Sequence, residues 1–246
     1  MVLSKRGELV IEYLLGLIAL VTSMLAAIVG FGGGMLLIAI LPAFLGSNVI
    51  IPIHGLVQLA SNSSRMLFSL KYVKWELLPR FLCGSVIGAF VVGYGLSHIS
   101  MDYVPVAIGL YILLNIWSPR FSDFVSRYEN YYLIGFLQTG LGLVVGATGP
   151  LALSVLTKQL QSKDEIIATS SLFMTISHSA KIPVYLSVTA SIFSDLNLIV
   201  CMVVGAVLGS FLGTRLRLSA RNDYIISIIK VLLTLLSVKM IGEVVY

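Results

Sequence analysis

With 58% hydrophobic and only 11% charged residues among its 246, this chain lies far from a soluble domain, where about 25% of residues are charged, and holds more apolar surface than a soluble fold can hide. Its apolar stretches are long and continuous, without the ten-residue alternation of a lipid-facing strand, which excludes a barrel and leaves an all-α polytopic membrane protein in contact with the lipid bilayer. The net charge of +5 does not point to nucleic acid, because the basic residues lie in short loops between apolar segments, where they report orientation.

In chain order, the first apolar run lies near 9–29. Ser4-Lys5-Arg6 precedes it, but the run is long enough to span and no small-residue cleavage site ends it, so it reads as a membrane segment and not as a signal peptide. Further segments lie near 35–45, 50–70, 77–97 and 102–117. A polar break from Ser118 to Asn130 carries Pro119, Arg120, Asp123, Arg127 and Glu129. Segments near 131–148, 150–160, 165–187, 196–214 and 223–242 follow. The expected organisation is a first transmembrane repeat over 1–117, a cytoplasmic linker over 118–130 and a second repeat over 131–246. Cys83 and Cys201 fall inside apolar segments, with no CxxC and no neighbouring His, and read as buried structural thiols; no metal and no cofactor is expected.

The two halves share one rhythm: long, short, long, long, long. Gly30-Phe31-Gly32-Gly33-Gly34 and Gly146-Ala147-Thr148-Gly149-Pro150 lie 116 positions apart, and the same offset places Arg65 on Lys181, Ser61 on Ser177, Ser63 on Ser179 and Asn62 on His178. A slip of one residue aligns Gly88 with Gly205. This is an internal duplication. The segments after each glycine cluster reach only about 16 Å as helix, too short to cross unaided. Gly and Pro at such points mark discontinuous helices, as in transporters with broken helices at the membrane midplane; close helix packing by small residues is the other reading.

Lys and Arg are distributed unequally. If every segment switches sides, one face collects Lys71, Lys74, Arg80, Arg120, Arg127, Lys158, Lys163, Arg215, Arg217 and Arg221, and the other only Lys5 and Arg6. The rule that basic loops stay inside makes the first face cytoplasmic and both termini external. Five switches per half invert the second repeat relative to the first. Nine crossings with a cytoplasmic N-terminus would satisfy the charges as well, but would treat the two short segments differently.

Ionisable residues inside the membrane are costly and point to function. Arg65 and Lys181 stand at matched places, each after a polar run. Gln58, Ser61, Asn62 and Arg65 share one helical face, and Ser170, Ser177, His178 and Lys181 fall near one stripe. Hydroxyls and amides donate hydrogen bonds to oxyanions, while a half-helix N-terminus at each glycine break, with Gly33 and Gly34 or Thr148 and Gly149, adds free N–H groups and a partial positive charge. With the nearest acids, Glu76, Asp164, Glu165 and Asp195, in loops or at segment ends, the expected ligand is an anion. The competing readings are snorkelling for Arg65, interhelical hydrogen bonding for the serines and a neutral core ring for His178, whose sharper alternative is proton coupling. His54 and His98 lie near segment ends and receive no role.

The chain resembles the TauE/SafE sulfite-exporter family, also described as an anion permease family. The resemblance rests on Gly30-Phe31-Gly32-Gly33-Gly34 followed by Pro42, on Gly142 to Pro150, on Ala168-Thr169-Ser170, and on the small-residue runs around Gly84/Gly88 and Gly205/Gly209/Gly213. It implies transport of sulfite, sulfonates or related sulfur oxyanions, commonly export.

The expectation is therefore a secondary transporter in the cell inner membrane, built from two inverted repeats with Gly/Pro-broken short helices and exporting a small inorganic or organosulfur anion. Its substrate-binding residues would be Arg65, Lys181, Asn62, Ser61, Gln58, Ser177, His178, Gly33, Gly34, Thr148 and Gly149. Import of the same anions and a non-transporting membrane scaffold are the alternatives; a homodimer is a compatible assembly. No constellation of acids, thiols or histidines suits an enzyme, and no Gly-x-x-x-x-Gly-Lys-Ser/Thr suits direct ATP drive.

Overall fold

The computed structural model describes residues 5–96, 101–127, 129–188, 195–216 and 222–245; His98, Arg217, Arg221 and Tyr246 lie outside the described residues. The described elements are all helical: α1 (Lys5–Val29), α2 (Gly33–Ile40), α3 (Ser47–Phe68), α4 (Leu78–Leu96), α5 (Val104–Trp117), α6 (Pro119–Arg127), α7 (Tyr131–Val145), α8 (Gly149–Gln159), α9 (Lys163–Val188), α10 (Leu196–Leu216) and α11 (Asn222–Val245), with short 3-10 turns between some of them. Three helical stretches are long and apolar enough to cross a bilayer: Leu9–Val29, Trp75–Leu96 and Leu196–Leu216. α3 and α9 are also long, at 22 and 26 residues, but their polar stripes lower their hydropathy and place them at the centre.

Burial is distributed as bilayer solvation requires. Val86, Phe90, Tyr94, Val200, Val204 and Leu235 face outward, whereas Gln58, Asn62, Arg65, Thr169, Ser177 and Lys181 are buried. Surrounding lipid is as apolar as a leucine side chain, so apolar surface gains nothing by facing in, while polar groups need partners inside. Cys83 corrects an expectation: it is exposed on the outer face of α4, while Cys201 is half-buried.

Glycines set the closest helix contacts. Gly205, Gly209 and Gly213 of α10 lie on the backbone of Gly16, Leu20 and Met24 of α1, and Gly84 and Gly88 of α4 lie on that of Tyr132 and Phe136 of α7. A Cβ at any of them would collide with a carbonyl, so these helices pack at backbone contact. Residue numbers rise together across both pairs, so α1 runs parallel to α10 and α4 parallel to α7. Gly16 and Tyr132, like Leu20 and Phe136, are 116 positions apart. Packing thus equates Gly84 with Gly205 and Gly88 with Gly209, one helical turn from the expected Gly88 to Gly205 match.

Two further pairs run antiparallel. Gly109 of α5 meets Ser237 and Ile241 of α11, and Trp117 donates to Thr234 at 2.9 Å. Gly55 of α3 meets Lys181 of α9, while beyond the end of α3 the Lys74 amide donates to Thr169 and its ammonium pairs with Glu165 at 2.7 Å. That hydrogen bond raises the Lys74 pKa above its ordinary value, so the pair persists at neutral pH. The polar break after α5 is not structureless: α6 fills Pro119–Arg127, and Phe121 meets Tyr111 edge-on with ring centroids 6.2 Å apart.

Candidate functional site

Two glycine breaks form the tips of two helical hairpins. Between α1 and α2, Gly30 and Gly32 have φ of 98° and 88°; between α7 and α8, Gly146 has φ of 77°. These are left-handed conformations that a Cβ disfavours, so each helix stops where the sequence offers glycine. In both cases the chain then turns back. Gly33 packs on the Thr22 backbone. Along α8, the Ala152 amide donates to Gln138 Oε1 at 3.1 Å, and Tyr131 donates its hydroxyl to Gln159 Oε1 at 2.6 Å.

Ending a helix inside a bilayer leaves carbonyl groups without donors and water without access. The two buried cations answer this need. Arg65 Nη1 donates to the Ala26 carbonyl in the last turn of α1, at 3.3 Å, and Lys181 Nζ donates to the Gly146 carbonyl that follows α7. A positive group at the negative end of a helix dipole is the favourable sign. Arg65 and Lys181 thus occupy matched positions and perform the same act, each at the break of its own half.

The breaks converge on one small cavity of about 40 Å³. From the first half it is lined by Ala26, Gly30 to Gly32, Gly34, Met35, Gln58, Asn62 and Arg65, and from the second by Ala147, Gly149, Pro150, Ser170 and Met174. A water occupies about 10–15 Å³ on this measure, so the space suits a few waters or one small oxyanion. The start of α2 lines the same space at Gly32, Gly34 and Met35, and the first N–H groups of a helix have no partner within it. α8 offers less, since Pro150 has no N–H and the Leu151 and Ala152 amides already donate to Thr148 and Gln138. A far larger groove of about 1000 Å³ lies between α4 and α9, but its walls, such as Val86, Phe90 and Val184, are apolar and it holds no charged group. Chemistry favours the small cavity.

The structure sorts the expected residues into two sets. Arg65, Asn62, Gln58, Gly34 and Gly149 line the cavity together. The others stand outside its lining. Gly33 is a packing glycine on Thr22 and Ala26. Thr148 donates its hydroxyl to the Gln138 carbonyl at 2.7 Å, not toward a ligand. Ser61 shares a hydrogen bond with Ser210 at 3.0 Å, and Ser177 one with Thr139 at 3.0 Å, so both tie helices together. Lys181 lies on Gly55, ten residues of α3 from Arg65 and so about 15 Å along the helix. The two cations therefore stand at different levels. His178 lies between those levels, with ring centroids 5.6 Å from His54.

Two contributors are not among the expected binding residues, and one of them, Gln138, escapes a reading of the sequence. Gln138 holds the second hairpin: its carbonyl accepts from Thr148, its Oε1 from Ala152, and its Nε2 donates to Ser177 at 3.2 Å. A lone amide in an apolar 15-residue helix is its only signal. Ser170 lines the cavity, and its signal is the Ala168-Thr169-Ser170 run.

A family model described as Sulfite exporter TauE/SafE matches residues 15–240. No curated protein and no solved structure matches the chain.

Proposed function

Because this chain belongs to the TauE/SafE sulfite exporter family, a family of membrane transporters and not of enzymes, we propose that it is a secondary transporter that exports sulfite and related sulfur oxyanions, sulfonates among them, from the cytoplasm. The observation that carries the reading is the cavity where both glycine breaks meet, lined by a buried arginine, two amides and a serine. Arg65 supplies charge, and Asn62, Gln58, Ser170 and the N-terminus of α2 supply hydrogen bonds to the oxyanion. Lys181 acts one level away, holding the second break in place. Export needs no ATP, since an interior-negative potential drives an anion outward by about 2.3 kcal/mol per charge per 100 mV.

The two halves are read as inverted repeats over 1–117 and 131–246, joined by a cytoplasmic linker over 118–130. Support comes from the matched breaks, from the matched cation contacts, and from the pairing of α1 with α10 and α4 with α7 in the same parallel sense. Alternate crossing by successive segments predicts each of these directions. Sulfite flux in proteoliposomes tests the function: accumulation dependent on the purified protein and on an imposed potential is expected, and liposomes no more permeable than empty ones would leave a scaffold role instead.

Orientation in the inner membrane follows from the basic loops, which put residues 118–130 in the cytoplasm and Tyr246 outside. In a background with Cys83 and Cys201 replaced by serine, a cysteine at Tyr246 is expected to react with an impermeant maleimide on intact cells, and one at Ser126 only after lysis. The reverse pattern overturns the orientation and turns the reading toward import.

A further inference from the structure

His54 and His178 are the largest unexplained feature of the interior. Both are buried, and their rings meet edge to face with centroids 5.6 Å apart. His54 Nε2 lies 2.9 Å from the Gly34 carbonyl. A carbonyl only accepts, so this nitrogen carries the hydrogen and Nδ1 of the neutral ring holds a free lone pair. That Nδ1 has no partner, and neither does either nitrogen of His178. Unsatisfied polar atoms at full burial are rare and call for a ligand, a water or a proton.

Position links the pair to the cavity. His54 is one turn from Gln58 and His178 one turn from Met174, both of which line it, and Gly34, the partner of His54, lines it as well. His54 Nδ1 points toward Gly146, whose carbonyl holds Lys181. The titratable and charged groups that act on the His178 ring are Lys181 from its own helix and His54 and Arg65 from α3, and no carboxylate acts on it among the described residues.

On this geometry we propose that His54 and His178 form a proton site coupled to the anion site, so that a divalent oxyanion binds together with a proton. The inference rests on the proposed function. An oxyanion in the cavity brings negative charge beside the pair, and the proton enters on the free lone pair of His54 Nδ1 or of His178; by reciprocity the protonated pair holds the anion more tightly. No covalent bond changes: one solvent proton is taken up on a ring lone pair. A divalent anion moving with one proton still carries net negative charge, so the membrane potential continues to drive it out.

Calorimetry of sulfite binding to the purified full chain tests this, at a pH where sulfite itself is fully ionised and in buffers of different ionisation enthalpy. The parent is expected to take up close to one proton per sulfite, and His178→Gln and His54→Gln to bind sulfite more weakly with the uptake lost or sharply reduced. A parent that binds sulfite without proton uptake, or variants with unchanged uptake, overturn the coupling. A parent that binds no sulfite removes instead the proposed function. Should the variants fail to fold, nitrogen-15 NMR of the three histidines in the parent decides alone, with His98 assigned by His98→Gln. Sulfite should convert one ring of the His54–His178 pair to the imidazolium form, and spectra unchanged by sulfite refute the pair.

Discussion

Replacing Arg65 with alanine is expected to weaken sulfite binding by on the order of a hundredfold, which corresponds to about 3 kcal/mol and to the loss of one or two charge-assisted hydrogen bonds. Arg65 is the one cation lining the cavity, and its guanidinium also bonds to Ala26 and Ser61, so the fold of each variant must be checked alongside its affinity. Arg65→Lys keeps the charge but not the planar fork. If the anion is held bidentately, that variant should lose nearly as much as alanine; if it is held as a point charge, most of the affinity should remain. Lys181→Met is expected to act differently, loosening the second break and lowering thermal stability more than intrinsic affinity. Parent-like affinity in Arg65→Ala, measured by calorimetry on folded protein, would place the anion elsewhere.

The second large effect separates two neighbouring roles of glycine. A Cβ at Gly33 would overlap the Thr22 carbonyl and press on Ala26 at 2.7 Å, whereas one at Gly149 meets only Met174 Sδ at 3.4 Å and Cε at 3.5 Å, ordinary contacts. Gly33→Ala should therefore destabilise the first hairpin by at least the 1–3 kcal/mol typical of overpacking, seen as a lower melting temperature in detergent. Gly149→Ala should fold and transport. Gly149→Leu should fold yet block flux, because its side chain extends into a cavity of about 40 Å³. Normal sulfite flux through folded Gly149→Leu would show that the substrate does not pass this cavity.

What the sequence determined by itself is what depends on local pattern. Uninterrupted apolar length gave the membrane class, and the glycine clusters gave the positions of both breaks, since left-handed φ at Gly30, Gly32 and Gly146 requires that residue type in place. The 116-residue offset then made Arg65 and Lys181 a pair, and that pairing reappears as matched contacts with the ends of α1 and α7. Which polar groups meet was decided only by tertiary structure. Gln58 and Asn62 point into the cavity, while Ser61 on the same polar stripe turns to Ser210, a difference of less than one helical turn that periodicity does not resolve. Thr148, Ser177 and Gln138 form a hydrogen-bonded staple between α7, α8 and α9 because in lipid every buried donor must find an acceptor within the protein, and those acceptors lie on helices distant in sequence. The separation of Arg65 from Lys181 is likewise tertiary: α3 and α9 pack antiparallel, so Lys181 lies on Gly55, ten residues of α3 from Arg65, a distance that sequence offset alone does not give.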